Sequence, residues 1–228
     1  MQLDTYGQQT QVLSQGANRV LRNTYMLLAL TMVPTVAGAL LGVQMQFSFM
    51  AGSPFISFML FMGISFAFFY GIEKNKNSGL GVALLLGFTF FMGLMLSRIL
   101  QVALGFSNGG SMIALAAGGT GAIFATLASI ASVSKRDFTN MGKFLTVGLV
   151  VVLLAMVANI FLQMPVLHLV ISAAVVLLFS GYILYDISQI MQGGETNYVT
   201  ATLAVYLDVY NVFVSLLNLI MAFGGDRD

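Results

Sequence analysis

Across 228 residues the chain carries charge at only 7% of positions, hydrophobic side chains at 58%, and a net charge of +1. A soluble domain carries about 25% charged residues, so this composition excludes a water-facing globule, and a near-neutral balance excludes a nucleic-acid surface, which needs a basic face. With no cysteine and one histidine, a disulfide framework, a thiol nucleophile and a Cys/His zinc site are excluded as well.

The chain opens on a polar stretch. Residues 1–17 hold five glutamines and one charge, and residues 1–24 are expected to form a flexible cytoplasmic tail. Seven continuous apolar runs follow, near residues 25–43, 54–72, 79–101, 112–133, 144–162, 166–185 and 201–223. As helices of 19 to 23 residues they measure roughly 28–35 Å, which matches a hydrocarbon core of about 30 Å. Outer-membrane strands would instead alternate apolar and polar residues. A helix satisfies its own backbone in lipid, so the expected fold is an all-α membrane protein of seven spans over residues 25–223.

The breaks near residues 44–53, 73–78, 105–111, 134–143, 163–165 and 192–200 carry Gly, Pro, Asn, Ser and charge. All are short, so consecutive helices are expected to be antiparallel neighbours. With the N-terminus cytoplasmic, Arg19, Arg22, Lys74, Lys76, Lys135, Arg136 and Lys143 fall inside, and only Arg98 and Arg227 fall outside. The positive-inside rule selects that orientation, which places the short tail 224–228 outside.

Polar residues within the spans carry the functional information, because burying them is expensive. Asp186 ends the sixth span and Asp208 lies about two turns into the seventh, one short turn away. Asn211, Ser215 and Asn218 follow Asp208 at offsets of 3, 7 and 10, which keeps all four within about 80° of one helical face. Tyr182, Asp186 and Gln189 form a comparable face on the sixth span. An ionised Asp at a helix centre costs about 2.5–3.5 kcal/mol. Protonation, a basic partner or admitted water would each relieve that cost. Two acids in one site are expected to share a proton and titrate as a pair, as a proton latch or cation site requires. The plainer alternative makes each acid an interhelical hydrogen-bonding group or an interfacial charge. Lys74 and Arg22 are the bases best placed to partner the pair, whereas Arg98 sits at the wrong end and is expected to snorkel to the headgroups.

Other residues have structural readings. His168 is expected at the interface, and Glu195 either caps the seventh helix or joins the acidic site. Gly118, Gly119 and Gly121, among Ala114, Ala117 and Ala122, are expected to let the fourth helix pack closely. Asn159 and Gln163 read as interhelical hydrogen-bonding residues. Ser180-Gly181 has Leu178 where a membrane serine protease carries glycine, and the lone histidine lies twelve residues upstream on the same span. No catalytic dyad and no metal constellation follow, so no enzyme activity and no resident cofactor are expected.

The strings Val20-Leu21-Arg22-Asn23-Thr24-Tyr25, Met156 through Gln163, Gly193 through Tyr198 and Tyr206 through Leu217 resemble the Bax inhibitor family of transmembrane proteins, in its bacterial inner-membrane branch. The resemblance spans nearly the whole chain. It implies three helical hairpins around a central seventh helix. It also implies a pair of aspartates that sense pH and control a calcium leak, mapping to Asp186 and Asp208, with calcium as the transported ion. For the bacterial branch it implies binding and restraint of the membrane protease FtsH, with the N-terminal tail available for engagement. The arginine that partners the acids in some relatives has no clear equivalent here.

Overall fold

The computed structural model describes residues 2–47, 54–134 and 137–224, with the side chains of residues 2–15 and 54 left aside. Lys135, Arg136 and the segment 225–228, which entered the charge count and the C-terminal tail above, lie outside the described residues. Seven α-helices follow in order: α1 (Gln2–Gln44), α2 (Pro54–Asn75), α3 (Gly79–Leu104), α4 (Gly109–Val133), α5 (Gly142–Leu162), α6 (Pro165–Met191) and α7 (Tyr198–Gly224). A short 3₁₀ turn, Thr139–Met141, leads into α5, and no strand occurs among the described residues. Each of the seven contains a stretch long and apolar enough to cross a membrane. The α2–α3, α4–α5 and α6–α7 turns share one end of the bundle, called here the basic end; the other three connections form the far end.

The helices run further than the apolar runs alone indicated. The first spanning stretch starts at Gly16, and Ala17, Leu21 and Thr24 are buried. Residues 17–24 therefore belong to the packed bundle rather than to a tail, because their apolar positions recur at helical spacing while Arg19 and Arg22 point outward. At the other boundary α6 continues to Met191, which moves Asp186 from the end of a span to more than a turn inside it.

Helix α7 sits at the centre. It packs against α1, α2, α3, α4 and α6, and no residue from Tyr198 to Met221 is exposed. By contrast α5 packs on α6 and its own leading turn, with only Leu145 and Val152 buried. Such a helix, apolar all round and open on most sides, faces lipid.

The tightest packing joins α1 to α3, not α1 to α2. A Cβ on Gly38 would lie 2.2 Å from the Phe90 carbonyl oxygen, and one on Gly93 would lie 2.1 Å from that of Thr35. Gly38 and Gly42 on α1 thus form a GxxxG face that meets Gly93 and Ser97 of α3, the close approach that small residues permit between helices in lipid. The expectation that short loops make sequential helices neighbours consequently fails for α1–α2 and α4–α5 among the described residues: α3 occupies the place beside α1. The expected close packing also fails at Gly118 and Gly121, while Gly119 faces Leu216 of α7 at ordinary contact distance. Gly118 and Gly121 have open space where a Cβ would go, and α4 buries Met112, Ala116, Thr120, Ala128 and Ala131 instead.

These contacts separate two kinds of glycine. Gly93→Ala forces a methyl into the α1 backbone and is expected to destabilise the protein by about 1–3 kcal/mol. Gly118→Ala, with nothing to strike, is expected to stay within about 0.5 kcal/mol of the parent. Thermal unfolding of both variants in detergent measures the difference; equal stabilities would mean that the α1–α3 crossing is looser than described.

Candidate functional site

The turn that presents the two acids is closed by side chains within it. Gly193, at φ +75, takes the left-handed conformation just past α6, a position glycine occupies without a Cβ penalty. Its neighbour Gly194 donates its backbone N–H to the Gln189 carbonyl at 2.8 Å. Asn197 caps α7: its side-chain oxygen accepts the N–H groups of Val199 at 2.9 Å and Thr200 at 3.3 Å. Both carboxylate oxygens of Glu195 are used beside it, accepting from the Asn197 N–H at 2.7 Å and the Thr200 hydroxyl at 2.9 Å. The Asn197 amide also donates to Asn77 Oδ1 at 2.7 Å and to the Lys76 carbonyl at 3.2 Å, which ties this turn to the α2–α3 turn.

Held by that turn, the antiparallel helices bring Asp186 and Asp208 together. Their side chains lie close enough to interact electrostatically. Carboxylates only accept hydrogen bonds, so a bond between the two would need one proton on the pair. Asp208 is 4% exposed, and its Oδ2 atom has no hydrogen-bond partner among the described residues. Asp186 is half-buried. It borders a cavity of about 320 Å³ at the basic end, with Tyr185, Gln189, Gly194, Glu195, Ala201 and Ala204. Asp208 stands behind Asp186, outside that lining.

The expected basic partners are elsewhere. Lys74 lies 5.9 Å above the Tyr70 ring, on a helix that packs against α3 and α7 and not against α6. Arg22 is exposed. Among the described residues neither pairs with an aspartate, and the ion pair that forms nearby joins Lys76 to Glu73. Glu73 beside it holds the Lys76 ammonium above the usual lysine range. In the turn leading to α5, hydrogen bonding to Thr139 holds the Asp137 carboxyl below the usual carboxylate range.

The polar face of α7 divides. Asp208 and Ser215 are buried in the bundle. Asn211 donates to the Leu207 carbonyl at 2.8 Å and borders a cavity of about 530 Å³ between α2, α3 and α7. Asn218 borders smaller cavities nearer the far end. On α6, Tyr182 lies beside both aspartates and Gln189 lines the 320 Å³ cavity with Asp186. His168 is exposed near the far end. Asn159 caps its own helix, accepting the Met164 N–H at 3.1 Å; it bridges no helices, because α5 ends within reach of its own side chain.

A second polar node was not anticipated from the sequence. Tyr206, buried to 1% exposure, places its hydroxyl 3.0 Å from Thr35 Oγ1 and 3.5 Å from the Thr89 carbonyl, while Thr35 Oγ1 donates to that carbonyl at 3.2 Å. Tyr210 donates to the Met92 carbonyl at 3.3 Å. Tyr206 lies two residues from Asp208, about 200° around the helix, so α7 is polar on opposite sides. The tyrosines face α1 and α3, and the acid faces α6. Two tyrosines spaced i, i+4 on one helix were the available signal.

Comparison with known proteins places this architecture among relatives. A family model described as inhibitor of apoptosis-promoting Bax1 matches residues 17–225. An uncharacterized protein of Neisseria meningitidis serogroup A is 40% identical over 232 residues, covering 99% of this chain and all of the relative. The modulator of FtsH protease YccA of Escherichia coli K12 is 40% identical over 205 residues, 90% of each chain. An uncharacterized membrane protein of Vibrio cholerae is 37% identical over 203 residues, 89% of each.

If the carboxyls act as one unit, their replacement is not additive. A double-mutant cycle of Asp186→Asn and Asp208→Asn is expected to show a coupling of about 0.5–3 kcal/mol in unfolding free energy. Coupling indistinguishable from zero would show that the two side chains do not share a bond.

Proposed function

Because the chain belongs to the Bax inhibitor family of membrane proteins, we propose that it is a multi-pass regulator of the bacterial inner membrane that binds and restrains the protease FtsH. One observation carries this reading: 40% identity across 90% of both chains to a protein named modulator of FtsH protease. The N-terminal segment supports it. Helix α1 begins at Gln2, ahead of the spanning stretch that starts at Gly16. Fourteen residues of helix add roughly 21 Å beyond the span. With the N-terminus cytoplasmic, as the basic residues favour, that segment is presented to a protease working at the cytoplasmic face. The protein then acts by contact and not as an enzyme.

A second reading rests on its own observation. Two neighbouring carboxyls, one with a buried oxygen that has no partner among the described residues and neither with a base among those residues, have the character of a proton-controlled latch for a cation leak, calcium being the transported ion. Glu195 adds negative charge near Asp186. A regulator that also leaks cations would need both features, so the readings are compatible.

Two experiments separate them. Adding the full-length chain to membranes containing FtsH is expected to slow turnover of a membrane substrate, and removing residues 2–15 is expected to abolish the slowing. Unchanged turnover with the full-length chain would exclude the protease reading. In proteoliposomes, calcium flux is expected to differ between about pH 6 and pH 8, and to lose that dependence in Asp186→Asn and Asp208→Asn. Flux no greater than in empty liposomes at either pH would exclude the leak.

A further inference from the structure

A sizeable cavity lies away from the acids. It measures about 530 Å³ between α2, α3 and α7, within the range of about 300–1,000 Å³ typical of ligand pockets. Six phenylalanines and three methionines line it, so the wall is apolar and, at Met62, Met92 and Met95, adaptable. On α2 the lining runs from Ser57 to Phe69, roughly 18 Å along the helix axis. That is about the depth of one leaflet of a hydrocarbon core about 30 Å thick. Phe58 and Phe66 are 49% and 61% exposed, so the cleft opens sideways toward the bilayer.

One cation marks its far end. Arg98 borders this cavity and also the adjoining one of about 340 Å³, which Asn218 lines as well. It lies six residues, about 9 Å, before the end of α3 at Leu104, close to headgroup depth. It makes no hydrogen bond or ion pair among the described residues. Asp226 and Asp228, which follow α7, lie outside the described residues.

We propose that the α2–α3–α7 cleft binds an anionic phospholipid, with one acyl chain in the phenylalanine- and methionine-lined cavity and the phosphate on Arg98. A guanidinium pairs with a phosphate through two parallel N–H donors, which gives Arg98 a counter-ion that it lacks among the described residues. An apolar cavity of this kind repels water, and a cleft open to the bilayer meets acyl chains as its solvent. The length of the lining matches a chain belonging to the same leaflet as the headgroup. This proposal is independent of the regulatory and leak readings and of the orientation of the protein.

The chain has no tryptophan, so a single introduced indole reports on one place. Phe69→Trp puts the reporter at the inner end of the cleft, and Phe161→Trp, at an 82% exposed position on lipid-facing α5, reports ordinary annular lipid. Full-length protein is placed in nanodiscs of phosphatidylcholine. Phosphatidylglycerol or phosphatidylcholine brominated at mid-chain is then titrated in as a quencher. Quenching at position 69 is expected at about a fivefold lower fraction of the glycerol lipid than of the choline lipid, the effect of one basic residue on an anionic headgroup. Position 161 should show no such preference. Arg98→Gln is expected to abolish the preference at 69. Ser65→Leu, which fills the cleft at a buried hydroxyl with no hydrogen-bond partner among the described residues, is expected to weaken quenching by both lipids. Should Phe69→Trp fail to fold, Phe61→Trp replaces it in the same lining. Equal quenching by the two headgroups at 69, a preference that survives Arg98→Gln, or no quenching there at all would each overturn the proposal.

Discussion

The bundle depends on the backbone contact between α1 and α3. Gly38 and Gly93 let the two helices approach until a carbonyl of each occupies the space a Cβ would need. That approach brings the Thr35 hydroxyl within hydrogen-bonding distance of the Thr89 carbonyl, and the Tyr206 hydroxyl of α7 completes the node. In lipid the hydrophobic effect gives helices no reason to associate, so close packing and buried hydrogen bonds must do so. One crossing supplies both, and it fixes the rotation of α7.

With α7 fixed by its tyrosines on one side, its acid is committed to the other. Asp208 then meets Asp186 of α6 across the hairpin that Asn197 and Glu195 close. The node and the acidic pair differ in kind. The tyrosine hydroxyls find partners in α1 and α3, whereas Asp208 keeps an oxygen with none among the described residues. A satisfied polar group rigidifies a core; an unsatisfied one is where a proton or a cation has something to gain. The bundle therefore places a hydrogen-bonded node and an incompletely partnered acid on opposite sides of a single helix.

The periphery follows the same physics with a different result. Helix α5 leans on α6 and otherwise shows apolar side chains outward, and α2 leans on α3 with a cleft left between it and α7. Lipid covers such surfaces at little cost, so nothing drives them to close. They are available to acyl chains or to the helices of a partner, while the central contacts stay unchanged.

The residue pattern by itself determined the seven apolar helices, the short turns between them and the two acids on adjacent antiparallel spans, since length, hydropathy and the cost of a buried charge are local properties. It also contained the GxxxG of α1 and the paired tyrosines of α7, but a stripe of small or polar residues does not say which neighbour it faces. Gly118 and Gly121 read as packing residues and lie against open space, while Gly38 and Gly93 form the tightest contact. Arg22 and Lys74 lie at the same end of the bundle as the acids and, among the described residues, pair with neither. Only the tertiary structure decided that α3 and not α2 lies beside α1, that Asp186 sits inside α6, and that Arg98 borders an apolar cleft. Each of these depends on the rotation of one helix against another, and in a bilayer, where every outward face is apolar, the sequence periodicity of a single helix does not encode that rotation.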